Sequence, residues 1–305
     1  MDKPSHSIVG GSDFFQLSKP LPFSHKRFFL IKFRQVIFYF RTNSPFLSCD
    51  SFAREADYIV GGLSGRRRIN KMRLKKAKIL FVKTHQLEDL LVEYRELISA
   101  SVILTGNSDY NVTEGMKLPE SVRVVFAQNC SLVDDTKFKV LPIGLENLRG
   151  GRSGLRKFHS KVVNHKIYNK VYLPPMAPTN PIRYEVLMEA SKNYSNFQID
   201  RYYKSESDYF SNIKNYKFIF CCEGNGFDVH RIWESLYQGS FPVMLDSKWA
   251  RSLAKLELPI LIVKTIKEIN GELLKTFLRE FESFDPENEE KLWIYYWKNL
   301  FKKYL

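Results

Sequence analysis

Cysteine is scarce in this chain: four residues in 305, at Cys49, Cys130, Cys221 and Cys222. None is spaced as a metal ligand, and together they make no disulfide framework. Long apolar runs are also missing. No window reaches the roughly 18 uninterrupted apolar residues that mark a bilayer-spanning helix. The opening MDKPSHSIVGGSDFF lacks the basic-then-apolar build of a signal peptide. These absences predict a reducing, cytoplasmic setting, in which the N-x-[ST] sequons at Asn111, Asn129 and Asn193 carry little meaning. Acidic residues are in deficit, 33 against 47 Lys and Arg, for a formal net charge of +14. An imbalance of that size implies an anionic partner: nucleic acid, membrane lipid or a phosphorylated substrate. Disorder is excluded by an aromatic content of 14%.

The length suits two domains of about 150 residues each. FFLIKFRQVIFYF, residues 28–40, is broken by Lys32, Arg34 and Gln35, and reads as buried strand or as a segment touching a membrane surface. ADYIVGG (56–62) is a strand running into a glycine turn. RRRINKMRLKKAK (66–78) follows, with eight basic residues in thirteen and no acid. It is either a solvated helix face or a patch for anionic head groups, each basic residue near such a surface adding up to ~1 kcal/mol. From there short apolar runs alternate with helical spacing. Strands are expected at 79–84, 101–106, 122–129 and 139–147, then at 171–176, 197–203, 217–222, 240–245 and 259–263. Helices are expected at 87–98, 180–193, 206–216 and 228–238. This is the pattern of an α/β protein built on parallel sheets. Residues 148–171, basic and glycine-containing, read as a linker or domain-edge loop. KLWIYYWKNLFKKYL (291–305) puts Trp293, Trp297, Leu300, Phe301 and Tyr304 on one helical face.

The most informative stretch is KFIFCCEGNGFDVHRIWESLYQGSFPVML, residues 217–245. A buried strand ends at Cys222. The loop Glu223-Gly224-Asn225-Gly226 follows, and its glycines let a ligand approach the backbone closely. Asp228 suits the N-cap of the next helix and Gly239 its C-terminal stop. A helix start in this place is an anion site. Arg231 in the first turn adds a forked donor matched to phosphate oxygens, with His230 beside it. Glu234 shares their face and suits the hydroxyls of a ribose. The plainer reading is a glycine loop without a ligand and an Arg–Glu surface pair. The loop is neither a Walker A motif nor G-x-G-x-x-G, which disfavours a P-loop NTPase and an ordinary dinucleotide dehydrogenase.

Glu223, Gly224, Asn225, Gly226, Asp228, His230, Arg231, Trp233, Glu234, Gly239, Pro242 and Val243 together resemble the donor-site signature of exostosin-like, GT-B glycosyltransferases. LTGNSDYNV (104–112), FAQN (126–129), LPIGLEN (141–147) and TNPIR (179–183) resemble further parts of small bacterial members. One departure is His85, where an acid is more usual. The resemblance implies two Rossmann-like domains facing a cleft: residues 1–170 binding the acceptor, 171–290 binding a nucleotide sugar, and a C-terminal helix at 291–305. It implies transfer of a sugar from a nucleotide-diphosphate sugar to a hydroxyl of a glycan or lipid-linked acceptor, with no bound metal and no other cofactor. The setting it implies is cell-surface polysaccharide synthesis at the inner face of the membrane. Asp134-Asp135 reads as a solvated turn.

On that reading the donor contacts are Glu223, Gly224, Asn225, Gly226, Asp228, Arg231 and Glu234, with Arg183 reaching the diphosphate or forming a structural ion pair. Arg231, His230 and the loop amides stabilise the leaving group. An inverting enzyme also needs a base, for which Asp109 is the first candidate and Glu146 the second. Asn107, Asn129 and Glu146, with Asn147, are the expected acceptor contacts at strand ends. The rival class is a nucleic-acid-binding protein, supported by the charge but by no finger, RNP-like or helix-turn-helix signature, so no nucleic acid is expected as partner. An inactive binding module of the same fold is a third reading.

Overall fold

In a computed structural model the described residues are 43–63, 67–112, 115–132, 136–148, 153–159, 166–192 and 195–305. The apolar segment 28–40, Arg66, Asp134-Asp135, Asn193 and parts of the expected linker lie outside them.

The described residues form a mixed α/β protein of the Rossmann-like class, with two five-stranded parallel sheets and nine helices. The first sheet is strictly sequential: β1 (Tyr58–Ile59), β2 (Ile79–Lys83), β3 (Val102–Gly106), β4 (Val124–Ala127) and β5 (Phe138–Val140). Its strands are apolar on both sides because both faces are covered. Leu80, Val82, Ile103 and Val125 pack with Leu74 of α2 (Lys71–Lys76) and Leu87, Leu90 and Leu91 of α3 (Leu87–Glu93). On the other face Phe81, Leu104 and Phe126 are paired in register. They pack with Phe52 of α1 (Cys49–Ala53) and with the C-terminal helix.

The second sheet opens at β6 (Ile167–Leu173), which begins before residue 171. It continues through β7 (Phe197–Ile199), β8 (Tyr216–Phe220), β9 (Phe241–Leu245) and β10 (Leu261–Val263). The spatial order is β10-β9-β8-β6-β7, so the chain reverses direction across the sheet between β6 and β8. Helices cover both faces. α4 (Ile182–Ala190) and α8 (Gly271–Glu280) lie on one. α5 (Glu206–Asn215), α6 (His230–Tyr237) and α7 (Lys248–Ala254) lie on the other, and their core is continuous with that of the first sheet. The sequence pattern located no helix between 246 and 290, yet α7 and α8 are there, capped by Ser247 and Asn270.

The last helix, α9 (Ile294–Lys302), follows the second sheet in the chain but packs on the first. Trp297 and Phe301 meet Phe126 and Phe52 at ring separations of 4.9–6.5 Å. Trp293 precedes the helix and turns elsewhere, onto Phe46 and Tyr237, so the expected aromatic face begins one turn later. Lys298 pairs with Glu55 at 3.1 Å. All four cysteines are free and buried. No helix among the described residues is long and apolar enough to cross a membrane.

Candidate functional site

In an open α/β sheet, loops at the carboxyl ends of the strands flanking a reversal diverge and leave a crevice. Here those strands are β6, followed by Pro174-Pro175, and β8, followed by the glycine loop. The loop is held from below. Arg183 donates from Nε to Glu223 O at 2.7 Å, from Nη1 to Ala177 O at 2.9 Å and from Nη2 to Cys222 O at 3.2 Å. Its guanidinium is thus engaged with backbone around the glycine loop and makes no carboxylate pair in these contacts. A Cβ on Gly224 would come within 2.8 Å of Arg183 Nη2, so a side chain there would push that guanidinium aside. Asn180 donates to Gly224 O, Gly224 N closes on Gly226 O, and Glu223 accepts from Ser247 Oγ. Asn225 is exposed.

The N-cap of α6 is Val229, with no side-chain cap. Asp228 does not cap because its carboxylate is drawn elsewhere. Oδ2 accepts from Ile143 N, just after β5, at 2.6 Å, and Oδ1 accepts from Trp233 Nε1 at 2.9 Å. Burial pushes its pKa up to about 7 against those two bonds. Gly239 ends α6 at a φ of +67°, where glycine is favoured.

Arg231 leaves the first turn of α6 toward the β6 end, donating from Nη2 to Pro175 O at 2.8 Å. Its Nε donates to the Tyr209 hydroxyl at 3.2 Å, and that hydroxyl donates to Glu234 Oε2 at 2.8 Å. Glu234 is buried rather than set on a surface, and burial pushes it up to about 7, while Tyr209 and Arg231 pull the other way and Glu146 adds repulsion. Burial opposes the Arg231 charge, but Tyr209, Cys221 and Glu234 overcome it and hold the guanidinium charged. Burial likewise raises Glu146, which bonds Ser153 and feels Glu206.

The loops at the carboxyl ends of the first sheet meet this edge. His230 Nδ1–H donates to Gly144 O at 2.8 Å. Asn129, buried and at a φ of +52°, accepts from Asp228 N at 2.7 Å and donates to Ser108 O at 3.1 Å. Asn107, at a φ of +55°, receives Asn147 Nδ2 on its side-chain oxygen, and its N–H donates to Gln128 Oε1 at 2.6 Å. Asp109 is exposed, and its charge reaches His230. Burial lowers the His230 pKa, with the Gly144 bond and Asp109 raising it less. His85 shares a hydrogen bond with Ser108 Oγ at 3.1 Å, and its ring lies 6.0 Å from that of Tyr110.

The fold therefore gathers residues from both halves of the chain. Asn107, Asp109, Asn129, Asp228 and His230 meet at the junction, and Arg231, Glu234 and Glu146 form a second group joined by charge. Asn129 and Asp228 are engaged in the junction itself. Tyr209, Gln128 and Pro175 were missed by sequence reasoning. Tyr209 sits in a helix of ordinary amphipathic pattern, so nothing local marked it as the link between Arg231 and Glu234. Among the described residues no group of three or more His, Cys, Asp or Glu gathers as metal ligands. No protein-family model matches the chain, and no curated protein does.

Proposed function

We propose that this chain is a nucleotide-sugar-dependent transferase, and more particularly an exostosin-like enzyme of GT-B architecture. The observation that carries the reading is the meeting, at the sheet reversal, of the uncapped start of α6 with Arg231 and the buried Tyr209–Glu234 pair. A helix start with an adjacent arginine suits a diphosphate. Glu234, one turn along, suits ribose hydroxyls and keeps Oε1 without a bond from the described residues. Transfer then breaks the bond from the anomeric carbon to the diphosphate oxygen and forms one to the acceptor oxygen. Arg231 balances charge on the departing nucleoside diphosphate.

The acceptor proton goes to a base. Asp109 serves by exposure and position. His230 serves by chemistry: donation from Nδ1 to Gly144 O leaves Nε2 as acceptor, and burial keeps the ring neutral. That state suits taking a proton better than neutralising a phosphate, the role expected of it from sequence. The acceptor is a hydroxyl of a glycan or lipid-linked sugar, and the proposed setting is the inner face of a membrane, which the basic surface suits.

The test is thermal stabilisation by UDP, GDP, CMP, ADP and a short DNA duplex. One nucleoside diphosphate is expected to raise the midpoint of the wild type and not that of Arg231→Gln, since binding to the native state stabilises it by mass action. A rise with DNA alone would replace the transferase reading with nucleic-acid binding.

A further inference from the structure

Part of the basic run lines a cavity that shares no lining residue with the candidate site at α6. After β1 the chain turns through Gly61 and Gly62 at φ values of +68° and +67°. Arg67 N closes the turn on Gly61 O at 2.9 Å. The Arg67 stem lies on that turn, where a Cβ on Gly62 would meet its Cδ at 3.0 Å. Asn70 caps α2 by accepting from Arg73 N, and its own N–H donates to the Tyr58 hydroxyl at 2.8 Å. Arg73 lies over the Tyr58 ring at 5.0 Å and donates to Asp57 O at 3.0 Å.

Turn and stacking bring Arg67 and Arg73, with Arg68 and with Arg54 from the end of α1, to the wall of one cavity of about 460 Å³. One carboxylate lines it among the described residues, Asp57, and its Oδ2 already accepts from Lys78 N and Ile79 N at 2.8 and 2.9 Å. Nearby Glu55 is turned to Lys298. The result is a concave site of ligand-binding size whose lining includes four arginines. We infer that this cavity binds a phosphate or pyrophosphate group, carried by a lipid head group or by a water-soluble phosphate compound. The inference stands independently of the transferase reading.

The test titrates the full chain with inorganic pyrophosphate and, separately, sediments it with phosphatidylcholine vesicles containing phosphatidylglycerol. Arg67→Gln/Arg68→Gln changes two exposed cavity residues. Lys75→Gln/Lys76→Gln removes equal charge from the exposed side of α2, outside the cavity. Arg231→Gln removes the candidate diphosphate contact at α6. Pyrophosphate affinity of this cavity is expected to fall about thirtyfold in the first variant, in line with two lost phosphate contacts, and to hold in the second, while Arg231→Gln removes at most a separate binding event at α6. Vesicle binding with the same pattern assigns the group to a lipid, and pyrophosphate binding without vesicle binding assigns it to a soluble compound. Equal losses in both charge pairs would reduce the site to diffuse surface charge and overturn the inference. So would a loss confined to Arg231→Gln, or no binding of either probe by the wild type. Since the nucleotide panel is read against Arg231→Gln and this titration against Arg67→Gln/Arg68→Gln, the failure of either reading is separately visible.

Discussion

Glu234 is the residue whose environment departs furthest from what its neighbours in sequence suggest. Spacing placed it on a face with His230 and Arg231, but Tyr209 arrives from α5 to bond it, and burial pushes its pKa from 4.5 up to about 7. A carboxyl raised by folding keeps its proton over an interval in which the unfolded chain has lost it. Its contribution to stability is full below pH 4.5 and is lost as pH rises through about 7. Asp228, raised to about 7, acts in the same direction. His159 acts oppositely: burial lowers it from 6.5 to about 4, so its contribution is present above 6.5 and lost as pH falls toward 4. Glu234→Gln removes one of these contributions while keeping an acceptor for Tyr209. Urea unfolding at pH 5 and pH 8 should find the variant gaining on the wild type at the higher pH. An equal difference at both pH values would mean that Glu234 is not raised.

At the scale of elements, the glycine loop and the β4 end are one device rather than two. Gly226 has no side chain because Asn129 occupies that space, and a Cβ there would meet Asn129 Nδ2 at 2.9 Å. The same amide accepts from Asp228 N and donates to Ser108 O, so it joins α6 to β3 and β4. Gly226→Ala should displace it and leave buried polar groups unpaired, at a cost of about 1–3 kcal/mol. Asn129→Ala should cost a similar amount, and the double variant less than the sum, because both break one bridge. Additive losses in thermal unfolding would show that the two positions act separately.

The whole molecule is closed by α9. The last described element covers the Phe81, Leu104 and Phe126 face of the first sheet. Tyr237 of α6 adds a polar tie, accepting from Leu47 N and donating to Leu292 O. Trp297 is 1% exposed, and Trp297→Ala should cost about 3–5 kcal/mol in urea unfolding. A loss under about 1 kcal/mol would mean that α9 is not part of the core.

The sequence by itself determined the α/β class, because apolar runs of strand length alternating with helical spacing bury parallel strands on both faces. It also determined the strand, glycine loop and helix of residues 217–245, and the stop at Gly239, because backbone conformation there depends on local residue type. Helices α7 and α8 were not located from sequence, although both carry N-caps, Ser247 and Asn270, and α8 has an amphipathic pattern burying Leu274 and Phe277. Only the tertiary structure decided which polar groups are partners. Asp228 read as a helix cap became a tie to Ile143, Arg183 became the support of the glycine loop, and Tyr209 entered the site from another helix. The reason is physical: a buried donor or acceptor takes whichever partner packing brings within about 3 Å. Those partners lie 22 to 85 residues away in sequence, beyond the reach of any local pattern.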